Sequence, residues 1–313
     1  MPVVPMHRGL ERAAERYPRR VALRFEDTDW TWSQLDEASN AFARHLRGSV
    51  DRGERVAIMS GNRPEFVVAL NAISKLGAAT VLISPAWKQL EVDHALTLTG
   101  ARYAVADEAS YPVLTARLGQ QYVTNLDDKA ALDEILRKDS SPLGTQPVTA
   151  DEEAVLVFSS GTTGLPKAVR HTHRSMGHGI DHWVASLGLT AEDRFQIATP
   201  PSHILGLLNF LTAAAAAATV RLHRRFDLDE LLRRIQDERM TLEMAVAPIA
   251  LAMADHPSIE DYDLSSLRYI MWGATPVTPS VAERVTARTG VRWMPAYGAS
   301  ELPVITANPI NRP

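Results

Sequence analysis

From Arg55 onward the chain alternates short apolar or β-branched runs with amphipathic stretches of helical length, and this rhythm restricts the fold more than any other feature. Residues 56–59, 79–83 and 103–105 read as buried strands, with helices over 63–76 and 89–98 between them. The pattern resumes with helix 175–187, strand 195–198, a helix from residue 203, strand 219–222, helix 229–238 and strand 242–246, then strand 269–271, helix 279–289 and strand 291–293. Such alternation is what βαβ units closing a parallel sheet produce. The expected fold is therefore α/β: two stacked βαβ-rich subdomains with mostly parallel sheets flanked by helices, over residues 1–150 and 151–313 and interleaved in space. Gly77 falls where a helix C-cap is expected, and residues 139–144 are the most linker-like segment. The alanine run 213–218 suits a helix packed closely on a sheet.

At 313 residues with 45% apolar composition, the chain has enough material for two domain-sized cores. A net charge of −4 gives no electrostatic reason to expect nucleic acid or anionic lipid as the main partner. The absence of cysteine excludes disulfides, thiolate metal sites and a cysteine nucleophile, so any thiol chemistry uses a thiol brought in from outside. The N-terminus lacks an uninterrupted apolar stretch of signal-peptide type, which makes a cytoplasmic location the expectation. The apolar run 204–220 contains Asn209 and Thr212 and is too short for a bilayer; it reads as a core helix and the start of a strand, with no membrane span.

One segment stands apart in chemistry. Ser159, Ser160, Gly161, Thr162, Thr163, Gly164, Leu165, Pro166 and Lys167 lie between the apolar run 155–158 and the alternating stretch 168–172. The glycines permit a curled backbone that aims N–H groups inward, the hydroxyls add donors, and Lys167 supplies a compact positive charge after the stiffening Pro166. The segment reads as a polyphosphate-binding loop, but GxxxxGK[ST] cannot be laid on it, so it is not a Walker A loop.

Three further motifs follow predicted strands: Pro201-Ser202-His203-Ile204-Leu205-Gly206, Gly273-Ala274-Thr275-Pro276 and Tyr297-Gly298-Ala299-Ser300-Glu301. Loops at the carboxyl ends of parallel strands are where ligand crevices form. Together with the phosphate loop, and in this order, they resemble the adenylate-forming superfamily of acyl-CoA synthetases, luciferases and peptide-synthetase adenylation domains, most closely its acyl-CoA synthetase branch. The resemblance implies that Ser159 to Lys167 bind the β- and γ-phosphates of ATP, and that Gly273, Ala274 and Thr275 lie along the adenine. Tyr297 would stack on the other face of that ring, with Gly298 and Ala299 completing the nucleotide-binding turn. It further implies that Ser300 bonds the α-phosphate, that Glu301 is a ligand of Mg²⁺, and that His203 is a gate beside the acyl site. Ser300 stands where the family more often has threonine, which keeps the hydroxyl, and Ala168 where it more often has glycine. His171, His173, His178 and His182 could share faces as metal ligands, but no carboxylate completes an HExxH pattern, and structural roles are expected for them.

The implied reaction joins a carboxylate to AMP with loss of pyrophosphate, after which a thiol, coenzyme A or that of a carrier protein, takes the acyl group. Residues 202–210 contain no aspartate or glutamate to pair with a substrate ammonium, so a fatty or aryl acid is expected rather than an α-amino acid. The resemblance covers residues 7–308, whereas the family continues through a hinge to a small lysine-bearing C-terminal domain. The chain is thus expected to be an N-terminal portion of a ligase, weakly active or inactive alone. Its alternatives are an adenylate-only ligase feeding a carrier protein and a non-catalytic nucleotide- or acyl-binding module.

Overall fold

The computed structural model describes residues 4–144, 148–159, 164–275 and 278–310. Helix α1 (Arg8–Arg16) leads into the antiparallel pair β1 (Val21–Phe25) and β2 (Thr28–Thr31). Helix α2 (Trp32–Leu46) starts at a capping box: Gln34 N–H donates to Thr31 Oγ1 while the Gln34 side chain accepts from Thr31 N–H. Then come β3 (Arg55–Met59), α3 (Pro64–Lys75), β4 (Ala79–Leu82), α4 (Gln89–Thr99), β5 (Tyr103–Ala106), α5 (Tyr111–Leu118), β6 (Val123–Asn125) and α6 (Lys129–Leu136). The hairpin strands β7 (Glu153–Ser159) and β8 (Lys167–Thr172) flank the sequence-predicted phosphate loop and pair in register from Val155↔His171 to Ser159↔Lys167.

The remainder runs α7 (His173–Leu187), β9 (Arg194–Ile197), α8 (Ile204–Ala216), β10 (Thr219–Leu222), α9 (Leu228–Glu238) and β11 (Leu242–Ala245). It ends with α10 (Ala247–Asp255), β12 (Tyr269–Trp272), α11 (Pro279–Thr289), β13 (Trp293–Tyr297) and β14 (Thr306–Ala307).

These strands form two sheets, one ordered β6-β5-β3-β4-β7-β8 and the other β14-β13-β12-β11-β9-β10-β1-β2. Both are parallel except at edges, where β8, β2 and β14 run antiparallel. The expected α/β architecture of two helix-flanked, mostly parallel sheets is what is found. The chain crosses between sheets more than once: β1 and β2 join the strands that follow α7.

Alternating side chains divide each sheet between two cores. Val56 and Ile58 of β3 point into a shared core with Phe42, Phe66, Phe195 and Leu208, while Ala57 and Met59 face a separate cluster under α4 and α5. In the other sheet, Tyr269 and Met271 enter the shared core and Ile270 packs under α9, α10 and α11. Helices α2, α3, α7 and α8 are therefore sandwiched between the sheets. The linker-like segment is tied down, since Arg44 Nη1 donates to Ser141 O at 2.7 Å and Asn40 Nδ2 to Ser140 O at 3.1 Å. The alanine run ends α8 against α1, where a Cβ on Gly9 would meet Ala215 N at 3.2 Å.

The last parallel strand, expected at 291–293, lies at Trp293–Tyr297. Packing sets the register: Trp293 and Met294 are buried opposite Ile270 and Met271, and Pro295 sits opposite Trp272. Tyr297 consequently ends a strand rather than opening a loop.

Candidate active site

Because the strands of the larger sheet run parallel, the segments after β9, β12 and β13 emerge at one end. They enclose a cleft of about 200 Å³ lined by His203, Ile204, Leu205, Gly273, Ala274 and the run from Ala296 to Ser300. Trp183, Met244, Pro303 and Val304 close its apolar side, and among the described residues no acidic side chain lines it.

Each motif is shaped by close backbone packing. Gly206 lies so near the Pro200–Pro201 turn that a Cβ would stand 2.1 Å from Pro200 O. Gly298 is equally constrained, with a Cβ falling 2.0 Å from Pro303 O, and one on Gly273 would press Ala296 O at 3.1 Å. Ala274 holds φ at +66°, a left-handed conformation that is costly for a residue with a Cβ. The turn is braced by Ala247 N–H donating to Thr275 Oγ1 at 2.7 Å and by Trp272 Nε1 donating to Thr275 O at 3.2 Å. Pro276 lies outside the described residues.

His203, expected on the helix, is instead the N-cap of α8: its Nδ1 accepts from Leu205 N–H at 3.3 Å. Surrounding protein lowers its pKa by desolvation although one side of the ring remains open to the cleft. The neutral ring accepting at Nδ1 carries its proton on Nε2, the remaining ring nitrogen. Tyr297 is 62% exposed, leaving ring surface uncovered at the mouth. Ser300 and Ala299 line the cleft, and Glu301 beside them is exposed and has no ion pair among the described residues.

At the phosphate loop, Ser159 ends β7, Gly164 holds φ at +152°, and Lys167 begins β8 with its side chain exposed. Ser160, Gly161, Thr162 and Thr163 lie outside the described residues.

Sequence reasoning missed two contributors. Trp183 of α7 forms part of the cleft wall and donates from its indole Nε1 to Asn209 Oδ1 at 2.9 Å, buried between α7 and α8. Only the helical period of α7 hinted that it faced inward. His171 is buried and hydrogen-bonds through Nε2 to Ser300 O at 2.7 Å, 129 residues away in sequence. Burial lowers its pKa, opposed by the Ser300 carbonyl and the nearby Glu301 charge. His173 is buried elsewhere, its Nδ1 accepting from Met6 N–H at 3.4 Å, while the His178 and His182 rings lie 6.5 Å apart on α7. Among the described residues, no three His, Cys, Asp or Glu side chains gather as a metal site.

The model of the AMP-binding enzyme family matches residues 10–313. The chain belongs to that family. As an AMP-binding enzyme chain it is similar to a feruloyl-CoA synthase of Amycolatopsis sp, with 29% identity over 292 residues that cover 93% of this chain and 58% of the relative. It thus spans a little over half the length of that curated relative. Among solved structures, the N-terminal domain of FACL13 from Mycobacterium tuberculosis superposes with a TM-score of 0.87 at 25% identity, covering 95% of this chain and 76% of that one. The anthranilate CoA ligase AuaEII in complex with anthranoyl-AMP shares the fold at a TM-score of 0.92 and 22% identity, over 99% of this chain and 63% of that one. No helix among the described residues is long and apolar enough to cross a membrane.

Proposed function

We propose that this chain forms the ATP- and acid-binding part of a carboxylic acid–thiol ligase that activates a fatty or aryl acid as its adenylate. The observation that carries this reading is the convergence, at one sheet end, of an exposed aromatic face, a neutral histidine and the Ser300 turn around a cleft with apolar walls, with the exposed carboxylate of Glu301 next in sequence to that lining. In it the adenine lies between Tyr297 and the Gly273–Thr275 turn, which the missing Cβ of Gly273 lets pack closely on Ala296 O beside Tyr297. Ser159 to Lys167 hold the β- and γ-phosphates, and the Ser300 hydroxyl donates to the α-phosphate, with Gly298 and Ala299 shaping its turn.

The donor set fits magnesium: that ion takes one or two carboxylates and completes its shell with water and phosphate oxygens, and Glu301 offers one exposed carboxylate. When bound, Mg²⁺ neutralises charge developing on the phosphates. His203 donates from Nε2 to a substrate carboxylate oxygen and thereby orients it. The other carboxylate oxygen attacks the α-phosphorus, the bond to the bridging oxygen breaks, and pyrophosphate leaves. Coenzyme A or a carrier thiol then attacks the acyl carbon as its thiolate, and AMP departs.

An ammonium group would enter a cleft that has no acidic lining among the described residues and would remain without a counter-charge there. Isothermal titration of the purified chain with stable acyl-adenylate analogues tests this. An aryl or fatty analogue is expected to bind at least about tenfold more tightly than an aminoacyl one, equivalent to about 1.4 kcal/mol. Equal or reversed affinities would remove the substrate assignment, and no binding of any adenylate would remove the function.

A further inference from the structure

We infer that His171 is a positioning residue that holds the Ser300–Glu301 peptide in register with the strand carrying Lys167, an inference that rests on the nucleotide-binding reading above. The carbonyl of Ser300 can only accept, so His171 Nε2 carries the proton and donates across 2.7 Å. That carbonyl belongs to the peptide plane joining Ser300 to Glu301. Fixing its direction therefore fixes the backbone from which the Glu301 carboxylate projects. The turn itself is closed by Ala299 N–H to Leu302 O at 3.0 Å and Leu302 N–H to Ala299 O at 3.2 Å. Among the described residues, the His171 bond is the only hydrogen bond that reaches this turn from another element.

The donor sits on a strand that already serves the loop. Side chains alternate along β8, so Lys167 and His171 share a face, about 13 Å apart at the usual rise per residue. β8 is the edge of the smaller sheet, whereas Ser300 follows β13 of the larger one. One buried imidazole thus connects the strand leaving the phosphate loop to the backbone of the turn that carries Ser300 and Glu301. At 2% exposure it is shielded from competing water, which makes the bond directional and costly to leave unmade.

The test compares ATP affinity of the purified chain with magnesium present and with EDTA, by calorimetry. His171→Leu keeps apolar volume and removes the donor, and His171→Asn keeps polarity but is too short to reach. Each is expected to lose about tenfold of the magnesium-dependent gain in affinity while changing magnesium-free binding less than about twofold. His171→Gln, which can present an N–H near the same place, is expected to restore part of the gain. Retention of the full gain in His171→Asn or His171→Leu overturns the inference. So does an equal fall in both conditions accompanied by a lower melting temperature, which marks a merely structural histidine. Glu301→Gln separates the two levels: if it keeps the magnesium gain, the magnesium role of Glu301 fails and this inference with it. If Glu301→Gln loses the gain and the His171 variants do not, only the inference fails.

Discussion

At the carboxyl ends of β3, β5 and β6 in the six-stranded sheet the polar groups are hydrogen-bonded within the protein, whereas at the same ends of β9, β12 and β13 in the eight-stranded sheet they face a cleft. In the smaller sheet, Gly61 N–H donates to Asp107 Oδ2 at 2.9 Å, Arg63 bridges Glu65 and Asp127 at 2.8 Å, and Asn62 Nδ2 donates to His223 O at 2.8 Å. In the larger, Tyr297 is exposed, Glu301 lacks an ion pair among the described residues, and Ala274 is held at positive φ. Both sheets are built from the same units, and both present loops where a crevice is expected. The architecture supplies the position; the partners of the polar groups decide whether a ligand has anything to bind.

The largest effect expected from this contrast is on stability in acid. The larger sheet encloses a polar row in which His223 Nε2 donates to Gln196 Oε1 at 2.9 Å and Gln196 Nε2 donates to Glu243 Oε2 at 2.8 Å. Burial pushes the His223 pKa down to about 4 and that of Glu243 up to about 8. His7 and His173, packed around the N-terminal segment, are also lowered to about 4 by burial. Below pH 6.5 the unfolded chain binds protons that these native histidines refuse, so stability falls as pH drops toward about 4, by at most about 3 kcal/mol for each. Glu243 acts oppositely, since its native form keeps a proton that the unfolded form releases above 4.5, and its contribution is lost as pH rises to about 8. Denaturant titrations across pH should therefore show greatest stability near pH 6.5. The double variant His223→Gln with Glu243→Gln should flatten the larger sheet's share, and an unchanged profile would show that the row does not titrate as described.

A smaller effect separates the two sets of glycines. Gly298→Ala drives a Cβ into Pro303 O and is expected to cost about 1–3 kcal/mol and most nucleotide affinity. Gly61→Ala, at the end of the smaller sheet, meets only Asp107 Oδ2 at 3.9 Å and should change stability by less than about 0.5 kcal/mol. Comparable melting curves for the two variants would break the contrast. The smallest effect belongs to Ala274, since every described non-glycine residue at positive φ lies outside the smaller sheet. Ala274→Gly should relieve the left-handed turn and raise stability by about 0.5 kcal/mol after the entropic cost of glycine. A decrease would mean that the alanine methyl contributes packing rather than strain.

Much of the fold was legible because parallel strands buried on both faces read as short apolar runs whose helices carry their own period. Val56 to Met59 and Tyr103 to Val105 are such cases, and the structure places strands on both. The ends of elements were less legible where packing overrides local signals. The strand expected to end at residue 293 instead continues through Pro295, because Trp293 and Met294 fix the register. His203 looked like a helix residue because its neighbours are apolar, but its acceptor nitrogen serves better as a cap. His171 could not be distinguished from a core histidine by any local pattern, since its partner is a carbonyl on the other sheet.

The pairing of Leu23 with Val220 also dictates an order of assembly. A chain leaving the ribosome carries β1 with an open edge until β10 has been made, nearly two hundred residues later. The smaller sheet needs nothing beyond Thr172 and can close first. Synthesis thus presents a six-stranded sheet whose strands are all paired, alongside a β1–β2 hairpin still unmatched, the stretch most in need of shielding while the rest of its sheet is being translated.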